Sequence, residues 1–257
     1  MLIHPGSAAR VLLEVGDVDA GTLPAPLARY QDDLNTIVDW AKTYLSQPHE
    51  HLGRRGNVCP YVTTSMDRGQ FYLSVYPGRP TDPAAVADAL RPYRDWFLSI
   101  APRERFSSQF STILILFPDL APHEVDLIID STQEALKSDY VEQGLMIGEF
   151  HNGPPNKAGL WNPDFLPLRS PVPLLAIRHM VASDFPFLRG ERQHLLSYLR
   201  QFAPELPTYV REAFADGLAG PTEQPAADPL ADPLDVTAIS TTIATTVSGD
   251  RVEVSVQ

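Results

Sequence analysis

Apolar positions recur along this chain in two rhythms, one near every third or fourth residue and one at every second, and together they predict alternating helices and strands. From Pro24, the residues Leu27, Tyr30, Leu34, Ile37, Val38 and Ala41 fall at helical spacing, extended by Trp40 and Tyr44. This helix is expected to end near Gln47-Pro48. Two β-rich runs follow, Val58 to Met66 and Gln70 to Tyr76, joined by Asp67-Arg68-Gly69. They predict a hairpin. A second helix is expected from about Pro83 to Ile100, with Thr81 or Asp82 as its cap and Pro83 in its first turn. Pro92 lies inside it and predicts a kink or a split.

Phe110 to Phe117 is nearly unbroken in its apolarity, which suits a strand covered on both faces. A third helix is expected over about Pro122 to Tyr140, with Val125, Ile128, Ile129, Thr132 and Leu136 inward. Glu124 and Asp126 near its start suit the helix dipole. A short strand then ends at Phe150, a Pro- and Asn-rich loop follows, and Val172 to Met180 reads as a further strand. Glu191 to Phe214 is helical in pattern but broken by Pro204 and Pro207. The expected fold is α/β (α+β), a mixed sheet of about five strands flanked by helices.

Composition alters the picture at the two ends. Residues 1–22 read as a lead-in in which VLLEV forms an edge strand. Residues 23–215 carry the periodic elements and are expected to form one globular domain. From Asp216 the chain holds seven acids and one base, and a repeated ADPL. Such an acidic, Pro- and Ala-rich stretch buries too little to fold, so 216–257 is expected to be a disordered tail.

The formal net charge of −12 argues against nucleic acid or an anionic membrane as partner. One cysteine, Cys59, excludes an internal disulfide and a Cys-rich metal site, and fits a cytoplasmic location. The first residues lack the pattern of a secretion signal, and no apolar run reaches membrane-spanning length.

The candidate chemistry concentrates between Met146 and Leu188, where Pro, Gly, Trp, Arg and His gather. A loop this long between strands is a candidate functional loop. His151 follows a strand and precedes Gly153-Pro154-Pro155. It is either a solvated loop histidine or an imidazole held by a stiffened loop as a metal or haem ligand, or as a general base. His179 ends an apolar strand and is either a rim histidine bonded to a carbonyl or a second ligand. Arg169 and Arg178 offer forked donors for a carboxylate, or form ion pairs with Asp164 or Asp184. Cys59 is either a small apolar residue or a thiolate ligand. Glu149 and Asp164 form no recognisable acid–base pair, and no Gly-rich nucleotide loop or HExxH is present.

The run FHNGPP, followed by GLWNPDF and RSPVPLLAIRHM, resembles the signature of a bacterial domain-of-unknown-function family. A fainter similarity links the chain to haem proteins that N-hydroxylate guanidine or arginine nitrogens. Val58-Cys59-Pro60 stands where that family has Phe-Pro-Cys, and Phe150-His151-Asn152 where a strand meets His-Pro. Arg169 follows, then Leu174–Ile177, and Ile177-Arg178-His179 replaces Asn-Pro-His before Phe185 and Phe187. This similarity implies a haem-binding oxygenase of bacterial specialised metabolism, acting on a small-molecule amine or guanidine with electrons from a redox partner. It implies iron held by His151 or His179, with Arg178, Arg169 and Cys59 around the cofactor. The alternatives are a non-enzymatic ligand- or partner-binding domain, or a haem carrier or sensor.

Overall fold

The computed structural model describes residues 1–52, 54–155 and 165–206, with 208 and 211. It divides into two compact units, Met1–His179 and Met180–Gln257. The expected tail and the Trp161–Asp164 part of the loop lie outside the described residues.

The first unit is built on one six-stranded mixed sheet, in the order β1-β2-β3-β4-β6-β5. Its strands are β1 (Leu2–His4), β2 (Ser7–Glu14), β3 (Phe71–Val75), β4 (Thr112–Leu116), β5 (Leu145–Phe150) and β6 (Leu174–His179). β3 and β4 are parallel, joined through the long helix α4 (Pro83–Ile100); every other pairing is antiparallel. The remaining helices of this unit are α1 (Val15–Asp19), α2 (Gln31–Trp40), α3 (Val62–Asp67) and α5 (Ser131–Glu142).

The sheet is covered on both faces, which is why FSTILILF lacks alternation. Ile113 and Ile115 face the side of α4 and α5, with Leu12, Ile147, Leu175 and Ile177. Leu114 and Leu116 face the side of α1, α2 and α3, with Leu13, Phe71, Leu73 and Leu174. Each such fully buried side chain contributes about 1.5–3 kcal/mol to folding. α4 begins as its sequence predicts: Asp82 accepts the Ala84 N–H at 2.9 Å and Pro83 opens the first turn.

Three expectations are corrected. VLLEV is a strand as expected but not an edge: it lies in β2, paired with β1 on one side and β3 on the other, and fully buries Leu12 and Leu13. Val58–Met66 is not a hairpin strand but carries α3, with Val62 and Ser65 buried at helical spacing. The physical reason is that β3 is already flanked by β2 and β4, so no edge is left for a hairpin partner. Of the kink or split expected at Pro92, the split does not occur: α4 runs without a break across it.

The second unit contains α6 (Phe185–Leu188) and α7 (Arg192–Phe202). Tyr198 of α7 donates to the Ala182 carbonyl at 2.9 Å and its ring meets those of Phe185 and Phe202. Gln201 donates to the Met180 carbonyl at 3.1 Å. Among the described residues, no helix is long and apolar enough to cross a membrane.

Candidate functional site: a carboxylate–imidazole pair at the end of β5

β5 ends at Phe150, and the next residue is fixed by backbone bonds rather than left in solvent. The His151 N–H donates to the Leu168 carbonyl at 3.3 Å, and the Ser170 N–H donates to the His151 carbonyl at 3.1 Å. These bonds form a parallel bridge between His151 and Arg169 that closes the base of the Pro-rich loop. The Ser170 hydroxyl donates to the Val172 carbonyl and anchors the returning limb. Alternation along β5 places Leu145 and Ile147 on the α4/α5 side. His151 has the same parity, and its ring meets the start of α5.

There the chain forms one wide turn, Asp126–Asp130, before continuing as α5. Such π-type turns recur at functional sites because they reset which side chains share a face. Here both carboxylates of the turn meet one imidazole. Asp130 Oδ1 lies 2.9 Å from His151 Nε2, and Asp126 Oδ1 lies 3.8 Å from Nδ1. The side chain of His151 is 2% exposed, that of Asp130 25% and that of Asp126 79%, so the set grades from core to solvent.

The network assigns the tautomer. The Gly153 N–H donates to Nδ1 at 3.2 Å, so Nδ1 carries the lone pair and Nε2 carries the hydrogen given to Asp130. Burial holds the Asp130 carboxyl above the usual carboxylate range; the neighbouring imidazole opposes this, and the charges of Glu149 and Asp126 add to it. Glu149 is itself buried on β5, opposite Leu175.

A half-buried carboxylate that orients an imidazole through Nε2, with Nδ1 as an acceptor that here takes the Gly153 N–H, is the arrangement of a general base. Donor atoms of Asp126, Asp130 and His151 also lie within 4.8 Å of one another, the spacing of a metal site. With this tautomer, however, Asp130 stands behind the ring. A cation at Nδ1 would meet only Nδ1 and Asp126, fewer donors than a protein-built metal site supplies.

The expected site residues do not converge. His151 follows Phe150, which pairs with Leu174, whereas His179 pairs with Leu145 at the other end of the same ladder. Six residues of strand separate them, roughly 20 Å. The two rings therefore cannot be the two axial ligands of one haem, and the residues present do not fit a macrocycle held between them. His179 is instead bonded into the core: Nε2 donates to the Ala101 carbonyl at 2.7 Å and Nδ1 lies 3.4 Å from Arg103. Its ring meets Phe97 at 5.1 Å. Burial pushes its pKa down, and the Arg103 charge adds to this against the opposing carbonyl bond. Arg178 donates to the His179 carbonyl at 2.9 Å. Cys59 is half-buried against the core on the α2/α3 face, its N–H bonded to the Leu45 carbonyl. Of the five, only Arg169 stands beside His151.

Asp126 and Asp130 escaped the sequence reading as site residues. Asp126 reads there as a dipole-complementing residue, and nothing marks Asp130 as the partner of a histidine 21 positions later. The available signal was DLIID, two acids one turn apart around apolar residues.

Fold and site together define an α/β domain with a partly buried carboxylate–imidazole pair at the end of an edge strand. By sequence the chain belongs to the family described as Domain of unknown function (DUF6875), which it matches over residues 34–213. No curated protein and no solved structure matches the chain.

Proposed function

We propose that this domain is an enzyme whose acid–base centre is the Asp130–His151 pair, with Nδ1 of His151 as the proton acceptor once it exchanges its bond from the Gly153 N–H for the substrate proton. The observation that carries it is the 2.9 Å contact between Nε2 and Asp130 on a ring that is almost wholly buried. A carboxylate there fixes the ring's orientation and stabilises the imidazolium formed when Nδ1 takes a proton. Asp126, at the solvent edge, relays or receives that proton. The reaction class is proton abstraction from a small molecule.

The test is incubation of the purified protein with small metabolites in D2O, read by mass spectrometry for deuterium at acidic C–H positions. Incorporation is expected with the native protein and is lost in His151→Gln. Incorporation that persists in His151→Gln overturns the proposal.

A haem-dependent oxygenase acting on an amine or guanidine nitrogen, supplied with electrons by a redox partner, is the second reading. The same carboxylate–imidazole bond favours it, since such a bond raises the basicity of an axial histidine. Only His151 would ligate in that case. A pyridine haemochrome assay on fresh protein separates the two. A Soret band lost in His151→Ala carries the haem reading, and colourless protein with His151-dependent exchange carries the acid–base reading.

A further inference from the structure

Arg169 is exposed and sits across the parallel bridge from His151, about 5 Å away between backbones. Its Nε donates to the Asn152 side-chain oxygen at 2.8 Å. Among the described residues no carboxylate pairs with it. The guanidinium is held by a neutral amide instead. Asn152 fixes the guanidinium plane through one edge without neutralising its charge. Among the described residues, nothing takes the donors of its two terminal nitrogens.

We infer that Arg169 anchors a carboxylate group of the substrate beside the Asp130–His151 pair, an inference that rests on the acid–base reading of that pair. The fork of two parallel N–H donors matches a carboxylate in geometry and charge. A single guanidinium balances the one charge of a carboxylate but only half that of a phosphate dianion. Asn152 and His151 are sequence neighbours, so the anchor and the base are set by the same short segment. Gly153, which directs the Nδ1 lone pair, follows directly. Asn152 is a positioning residue: it acts through Arg169.

The test is an acetate titration of the full chain, followed on the arginine Nε–H signals by NMR, with Arg169 assigned by the loss of its signal in Arg169→Lys. A saturable shift of the Arg169 signal is expected, with inorganic phosphate competing less well than acetate. Arg169→Ala abolishes saturable binding while the His151 nitrogen spectrum stays unchanged. Asn152→Ala weakens acetate by about tenfold without removing it. A shift that never saturates, or saturable binding that survives in Arg169→Ala, overturns the inference. The two readings fail separately. A His151 ring that shows no bond to Asp130, with acetate still bound at Arg169, overturns the acid–base proposal and leaves the anchor. An intact pair with no saturable acetate effect overturns the anchor alone.

Discussion

Nε2 of His151 and Oδ1 of Asp130 lie 2.9 Å apart, joining the end of an edge strand to the first turn of the helix packed on it. The bond spans 21 residues of sequence, and Gln133 of the same helix donates to the Ile147 carbonyl of β5 at 2.9 Å. Replacing Asp130 by Ala leaves a buried ring N–H without its acceptor, at a cost of about 1–3 kcal/mol. Asp130→Asn keeps the shape but can present a donor where an acceptor is required. Nitrogen NMR of the imidazole is expected to show Nε2 protonated in the native protein, and a mixed or reversed tautomer in Asp130→Asn. A native protein already in the reversed tautomer would contradict the assignment.

His179 gives a pH signature of its own. Its folded pKa lies below the ordinary 6.5 because of burial, so between the two values the unfolded chain binds more protons. Its contribution to stability is therefore complete above the ordinary value and falls as pH drops toward the folded one. Urea unfolding across this window is expected to show a slope that His179→Leu lacks. The variant is also less stable near neutrality, because the Ala101 carbonyl loses its donor.

Asp119 ties three segments together and should report on acid unfolding. It accepts hydrogen bonds from Tyr30 at 2.5 Å, from Arg29 and from the Gly78 N–H at 2.8 Å. The Tyr30 bond is the chief reason its carboxyl lies below the ordinary 3.8. Stability from a lowered carboxyl is present above the unfolded value and lost as pH falls through the folded one. Asp119→Asn is expected to be less stable than the native protein at neutral pH. The gap should close in acid, as measured by thermal unfolding at both pH values.

Pro92 sits within a helix that runs from Pro83 to Ile100 without a break. A proline there leaves one carbonyl without its helical partner and crowds the preceding turn. Pro92→Ala is expected to raise the melting temperature, with a gain of up to about 3 kcal/mol. A neutral or lower melting temperature would mean that the surrounding packing already accommodates the ring.

What could be read along the chain was whatever short-range chemistry dictates. Asp82-Pro83 announced a helix start because capping and ring geometry act over three residues. The unbroken run of Phe110 to Phe117 announced a strand covered on both sides, and Ile113 with Leu114 bears this out on opposite faces. β propensity misled at Val62–Asp67, because local preference is weak and the free sheet edge that a hairpin needs had been taken by β2 and β4.

The sequence by itself determined the rhythm of helices and strands, the Pro-rich run after β5 and the presence there of a histidine and arginines. Only the tertiary structure decided which of these share a place. Antiparallel pairing of β5 with β6 runs the two strands in opposite directions, so His151 and His179 were carried to opposite ends of one ladder. The same packing laid α5 along β5 and brought Asp126 and Asp130 to the imidazole. Contacts of this kind depend on strand direction and on the turn at which a helix begins, and neither quantity is written in the spacing of residues.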